Sequence, residues 1–405
     1  MSLDRPRIAV AAAGFCAFLD LYPTQSLLSV LSGEFHADKA AVGLTVSATT
    51  LAVALTAPLS GLLADRLGRK RVIVAGALLM AVPTALAGTA GSIDQLVLWR
   101  FLQGLFLPAV FAVAAAHIAE EWPAGEAAGL TGVYVAGMVL GGFSGRFFAA
   151  MVGEAAGWRL AFPALAMINL VGALLIALWL PPDSRRKSRV GAPTGVLAQL
   201  GKHLSNGRLL AICAMGFLIL FSMISVFTYI NFKLAAPPFD LGLAALGSIF
   251  VVYLFGMPAA PASGPLLNRF GRRRVMVGAV LVNGLGLAAT LSGHLVVVLF
   301  GLVLFAIGTF VAQPLSIGFA GTVVRDARAL AVGLYVGCYY VGGSLGGVVP
   351  AVFWSHLGWP GCAALVAGVQ VVLLGLAMIV FAPGATLPVQ DPSLARDHAP
   401  AFPGA

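Results

Sequence analysis

The sequence predicts an all-α membrane protein of twelve transmembrane helices, arranged as two pseudo-symmetric six-helix bundles. Three observations carry this. Hydrophobic residues make up 60% of the 405-residue chain and charged residues 10%, with a mean hydropathy of +0.98, against roughly 45–50% apolar and ~25% charged in soluble domains. The apolar residues fall in runs of about 20, the length an α-helix needs to cross the hydrocarbon. The chain also repeats itself. The basic turn from Gly61 to Val72 reappears 203 residues later from Gly264 to Val275, and the 27 residues from Gly132 to Trp158 align without gaps on Gly333 to Trp359 at an offset of 201, nine of them identical. Two separate segments sharing almost one offset mark an internal duplication, and parallel repeats of this kind build two-bundle transporters.

The spans of the first half are expected at 8–31, 41–64, 72–91, 95–118, 127–151 and 159–181, and those of the second at 209–233, 243–267, 275–293, 295–318, 329–353 and 360–382. The first is not a cleaved signal: it is too long, carries Asp20 and lacks a small-residue cleavage pattern. The second closes on the basic turn, and the fourth holds Arg100 and Gln103. The fifth is glycine-rich and ends near Arg146, which is expected to snorkel to the outer interface. Gly and Pro recur inside the spans, as membrane helices tolerate and soluble bundles do not. The domain organisation is then a bundle over 1–181, a linker over 182–208, a second bundle over 209–382 and a tail over 383–405. In the linker, Val196, Leu197, Leu200 and Leu204 recur at helical spacing beside Lys202 and His203, the pattern of a short amphipathic helix on a membrane surface. The tail holds several prolines and few large apolar residues, a composition expected to be disordered. Cys16, Cys213, Cys338 and Cys362 sit singly in separate spans without metal-ligand spacing and read as small hydrophobes.

Charge sets the orientation. With an even number of spans both termini share a side, and the loops on that side hold 19 of the 24 Lys and Arg residues, including Arg5, Arg7, the 66–71 and 269–274 clusters, Arg325, Arg328 and Arg396. Cytoplasmic loops carry the positive excess, so both termini are expected inside. The net charge of +9 therefore reflects topology and contact with anionic lipid, not nucleic acid.

Asp20 is the most telling single residue. A carboxylate near the middle of a span costs on the order of 2.5–3.5 kcal/mol on insertion scales, so it is expected to face a cavity or a partner. No other Asp or Glu falls centrally in any span. Arg100 lies about six residues, roughly 9 Å at the helical rise, inside the fourth span from Asp94.

The turn Gly61, Asp65, Arg66, Gly68, Arg69, Lys70 fits G-x3-D-R-x-G-R-[KR] and resembles the signature loop of the major facilitator superfamily; Gly264, Asn268, Arg269, Gly271 and Arg272 form a degenerate copy with the acid replaced. Arg100, Gln103 and Gly104 resemble the family's R-x2-Q-G motif. Gly137, Gly141, Gly142 and Gly145 resemble the G-x3-G-P-x2-G-G motif of its drug:proton antiporters, with Gly142 for Pro and Arg146 for the last Gly. Length and span number are most similar to bacterial drug and sugar efflux permeases, including arabinose-efflux-like proteins.

The resemblance implies the major facilitator fold, a bacterial inner-membrane location, and alternating access without cofactor or metal. The partners it implies are a small-molecule substrate, protons and membrane lipids, with the chain acting as a monomer. It implies that the 61–69 turn latches the cytoplasmic ends of the bundles, with Arg269, Gly271 and Arg272 as the weaker copy; the bland alternative is a positive-inside turn. It places spans one and four on one cavity, where Asp20 and Arg100 pair directly or through water, either to couple proton movement or as a static ion pair. Tyr22, Gln25, Gln103, Tyr229, Asn231 and Gln313 are then candidate substrate contacts, with Tyr335 and Tyr339 beside them. The expected activity is proton-coupled efflux of a small organic compound. A symporter or uniporter importing a metabolite uses the same fold, and a lipid flippase or non-transporting sensor is the reading from another class. An enzyme is not expected: there is no P-loop, no metal cluster, and no hydrolase setting for Ser or His.

Overall fold

The computed structural model describes residues 4–183, 196–324 and 328–382, and no strand occurs among them. The Arg185 to Lys187 run of the linker, Arg325, Arg396 and the whole expected disordered tail lie outside the described residues.

The first crossing is broken. Helix α1 (Arg5–Leu21) stops at Tyr22 because Pro23 offers no N–H to continue the ladder, and a 3-10 turn over Pro23–Ser26 leads into α2 (Leu28–Glu34). Next come α3 (Lys39–Leu67) and α4 (Arg69–Ala87). Asp38 starts α3 by accepting from the Ala41 N–H at 2.7 Å. Helix α5 (Ile93–Glu121) opens on a reciprocal cap: Ser92 Oγ accepts from Gln95 N at 3.2 Å, and Gln95 Oε1 from Gly91 N at 2.8 Å, leaving fewer orphan donors at the membrane edge. The first half closes with α6 (Ala124–Ala156) and α7 (Trp158–Trp179).

A nine-residue α8 (Val196–Leu204) occupies the described end of the linker, where the apolar spacing predicts a helix. In the second half, Asn206 caps α9 (Gly207–Leu234), and α10 (Leu243–Ser248), α11 (Val252–Gly256) and α12 (Ala259–Ala289) follow. The chain then runs through α13 (Leu295–Ala320), α14 (Arg328–Val348) and α15 (Pro350–Val380).

Ten of the described stretches are long and apolar enough to cross a membrane. The difference from twelve has two causes. The break at Tyr22 leaves α1 with only 17 residues, and 243–289 runs through two crossings that are joined helically except at Gly271, where the backbone turns (φ 78°).

Gly271 is one of four described glycines with positive φ, the others being Gly68 (93°), Gly157 (89°) and Gly358 (60°). They pair off at the repeat offsets, so the duplication preserves backbone conformation as well as sequence. Only glycine takes this region without strain, and each marks a sharp reversal between consecutive crossings.

Helices α1 and α3–α7 pack into one bundle and α9–α15 into the other, and they meet chiefly where α3 lies on α14 and α6 on α10. The repeat equates the second span with the eighth and the fifth with the eleventh, which makes these two contacts copies of each other. At the end away from the basic turns both are tight. Ser47 Oγ donates to the Ser344 carbonyl at 2.5 Å and Ser344 Oγ returns to the Ser47 carbonyl at 3.0 Å. A Cβ placed at Gly43 would stand 2.1 Å from the Gly347 oxygen. Small residues allow such backbone approach, and packing replaces the hydrophobic effect as the force between helices in lipid. At the opposite end the bundles part around a cavity of about 2400 Å³, lined by α3 through Pro58 and Leu62, α5 through Ala116, and α14 through Leu334, Gly337 and Val341. The molecule is closed at one end and open at the end that carries the basic turns.

Candidate functional site

The centre of the first bundle is organised by the broken end of α1. A helix C-terminus leaves carbonyls unpaired, here inside the membrane core. Arg100 answers them from α5: Nη1 donates to the Asp20 carbonyl at 2.8 Å, Nη2 to the Leu21 carbonyl at 2.7 Å and Nε to the Thr45 carbonyl at 3.2 Å, while Nη1 also bonds Gln103 Oε1. Gln103 Nε2 passes the chain on to Thr84 Oγ1 at 2.6 Å. No direct ion pair joins Asp20 to Arg100 among the described residues: the guanidinium donates to the backbone carbonyl of residue 20, with the carboxylate near enough for the two charges to interact. A positive group at the end of a helix dipole is favourable in itself.

The Asp20 carboxyl is buried and takes its hydrogen bond from elsewhere. Asn169 Nδ2, on α7, donates to Oδ2 at 2.6 Å, and Oδ1 has no hydrogen-bond partner. Asp20 is the one buried carboxylate among the described residues. Asn169 was not read from the sequence, although it sits at the 201-residue repeat offset from Gln370, another buried amide.

Arg146 overturns a second expectation. It does not snorkel but is 1% exposed, stacked against Tyr22, Phe250 and Tyr253 with 4.7–5.0 Å from its Cζ to the ring centroids. Its Nε donates to Gln25 Oε1 at 2.7 Å and Nη1 to the Gly142 carbonyl. Gln25 in turn donates to Thr228 Oγ1 at 3.0 Å, joining the bundles. The reason lies in the glycines: a Cβ at Gly137, Gly141 or Gly145 would stand 2.0–2.3 Å from the carbonyl oxygens of Ala11, Phe15 and Leu19. They bring α6 against α1 and hold Arg146 level with the Asp20 region, facing the partner bundle.

The other candidates are spread more widely. Tyr335 and Tyr339 stack at 6.1 Å, and Tyr339 meets Tyr340 edge-on at 5.4 Å. Tyr229 Oη donates to the Gly347 carbonyl at 3.0 Å, a role in the closed end, and Asn231 Nδ2 bonds its own helix at the Phe227 carbonyl at 2.6 Å. Gln313 is half-buried on α13.

The signature turn lines the mouth of the cavity, with Gly61, Asp65, Arg66, Gly68 and Arg69 on its wall. Asp65 lies 3.5 Å from Arg69, which pairs with Glu120. Asp183 accepts from the Lys70 N–H at 3.4 Å and lies 3.3 Å from His117 Nδ1. Among the described residues, the ion pairs and hydrogen bonds of Asp65, Arg69 and the Lys70 amide stay within the turn or reach Glu120 and Asp183, in the first bundle and its exit. In the second copy Arg269 lies over Phe270 and Arg272 over Phe319. No metal set is expected from the sequence, yet the fold gathers ligand atoms of His117, Glu121 and Asp183 within 4.8 Å of one another; the Lys70 amide donates to Asp183 and Arg69 pairs with the neighbouring Glu120, so the group reads as an ion cluster of the basic end.

Two helical bundles, joined at one end and parted around a cavity at the other, with polar groups gathered at the centre, make a multi-pass membrane protein. The Major Facilitator Superfamily matches this chain over residues 10–257 and 227–404, and the chain belongs to that family. The inner membrane transport protein YnfM of Escherichia coli (strain K12) is 31% identical over 370 residues, covering 91% of this chain and 89% of YnfM. Among solved structures, the nucleoside transporter NupG superposes with a TM-score of 0.73 at 18% identity over 93% of this chain and 99% of its own. A bacterial homolog of the human lysosomal transporter Spinster, described as inward-facing and unoccupied, gives 0.71 at 16% identity over 94% and 96%. At these identities the structures share the fold alone.

Proposed function

We propose that this chain is a proton-coupled exporter of a small, drug- or sugar-like organic compound. It lies in a bacterial inner membrane with its termini and basic turns cytoplasmic, and alternates access by rocking the two bundles. The observation that carries the reading is Asp20: a single buried carboxylate, one oxygen held by Asn169 and the other without a partner. An intramembrane acid marks a proton or substrate path by default. Desolvation favours the neutral carboxyl while a nearby guanidinium favours the ion, so a change in water access to this site shifts the proton.

Under this reading the cavity faces the cytoplasm, and the signature turn, whose pairs among the described residues lie inside its own half, is the released latch. Closing the cytoplasmic ends brings Asp65 to the start of α14. Export follows the resemblance of the 137–145 glycines to the antiporter motif.

The test is a panel of candidate compounds on inside-out vesicles with an imposed pH gradient, repeated with Asp20→Asn on any compound that moves. The neutral amide cannot exchange a proton, so gradient-driven transport is expected to vanish while passive exchange persists. An Asp20→Asn protein that still concentrates the compound in response to the gradient excludes the coupling role.

A further inference from the structure

Arg146 carries a charge that no ion pair among the described residues balances. Its side chain is 1% exposed, and its Nη2 has no hydrogen-bond partner. The hydroxyl of Tyr253, whose ring lies 5.0 Å from the guanidinium carbon, is also buried without a partner. Cation–π contact with three rings returns part of the desolvation cost, but an unpaired guanidinium in a membrane core remains expensive, and such groups mark ligand paths. Arg100 makes the contrast plain, since each of its nitrogens donates to an oxygen.

The position is that of a ligand site. Tyr22 comes from one bundle and Phe250 and Tyr253 from the other, so the guanidinium sits on the seam that opens and closes in alternating access. Phe111 and Tyr340 meet across the same seam at 5.9 Å, beside Ala112 and Val341 of the cavity wall. The repeat counterpart of Arg146 is Gly347, which packs against Ser47 in the closed interface. Helix packing at this register thus asks for a small residue, and the arginine serves another purpose.

We infer that Arg146 and the Tyr253 hydroxyl form an anion-binding subsite, and that the transported compound is an organic anion whose carboxylate or sulfonate meets the guanidinium while its apolar part lies among the neighbouring aromatic rings. Arginine offers a planar fork that matches both oxyanions. The inference rests on the transporter reading above and names its substrate class.

The experiment measures binding to the purified full chain in detergent, with benzoate and benzenesulfonate as anionic probes and benzamide and benzylamine as neutral and cationic ones, at constant ionic strength. The anions are expected to bind at least about tenfold more tightly than benzamide, the loss that one charge-assisted hydrogen bond predicts. Arg146→Gln removes that preference, Arg146→Lys retains part of it, and Tyr253→Phe weakens the anions alone. Because the preference of the unaltered chain is itself a test, a variant that fails to fold does not protect the idea. Benzamide binding as tightly as benzoate, an Arg146→Gln protein that keeps the preference, or a chain that binds none of the four overturns it. Anion preference in a protein that moves no compound under a pH gradient leaves the subsite standing and removes the proton-coupled exporter. Gradient-driven transport without anion preference does the reverse.

Discussion

Arg100 and Arg146 lie deep in the same bundle and differ in their partners. Arg100 ties α1, α3 and α5 together by three backbone carbonyls and Gln103. Its removal leaves several buried acceptors unmatched, each worth about 1–3 kcal/mol. Arg100→Ala is expected to lower the thermal midpoint in detergent sharply, and Arg100→Lys to restore little, because one ammonium cannot reproduce a fork that spans three helices. A lysine protein that melts with the parent would show that the carbonyls do not need the guanidinium. The sequence made Asp20 and Arg100 visible, since a charge in an apolar run advertises its own cost. It did not reveal their partners: cost is readable from one residue, whereas geometry depended on the break before Pro23. Arg146 departs from its expected place for a related reason. Its place near a span end favoured snorkelling, and only the close seating of Gly141 and Gly145 on α1 shows that it points inward.

Among the elements, α6 on α1 sets the register of the centre, and its repeat α14 on α9 follows the same rule: a Cβ at Gly342 or Gly346 would stand 2.1 or 2.6 Å from the Phe217 or Phe221 oxygen. Adjacent glycines of α6 differ. A Cβ at Gly141 would stand 2.1 Å from the Phe15 carbonyl oxygen, whereas the nearest atom to a Cβ at Gly142 is Arg146 Nη1 at 3.5 Å. Gly141→Ala is expected to exceed the ~1–3 kcal/mol typical of overpacking, because the obstacle is backbone; Gly142→Ala should be tolerated, with a gain of roughly 0.5–1 kcal/mol from helix propensity. Monodispersity and melting of the two proteins in detergent check this, and equal behaviour would remove the packing role. The glycine spacing was legible as a motif, but motif resemblance assigns gating and antiport to these positions, while the contacts in this conformation are those of helix packing. Segment boundaries were legible where polar turns interrupt the apolar runs. The turns at Gly271 and Gly358 fall between the expected spans 243–267 and 275–293 and between 329–353 and 360–382, although each lies in a stretch that is otherwise helical on both sides.

At the scale of the molecule, the duplication explains why a sequence could disclose so much of the architecture: one offset relates turns, glycine contacts and both bundle interfaces. The conformation was not legible, since under the proposed alternating access the same residues serve both ends of the cycle, and only the fold shows which end is shut. Ser47 and Ser344 exchange hydrogen bonds across α3 and α14 at the closed end, and Cys338 lines the open cavity with partial exposure. A Ser47→Cys, Ser344→Cys protein is expected to cross-link under mild oxidation and lose transport, and reduction should restore it. A membrane-impermeant maleimide should continue to reach Cys338 in the cross-linked protein in inside-out vesicles and fail to reach it from the other face. Cross-linked protein that transports at the parent rate would mean that the seam at Ser47 does not open during the cycle. Labelling of Cys338 from the outer face alone would instead reverse the sidedness assigned from the basic turns, and with it the face from which substrate enters the cavity.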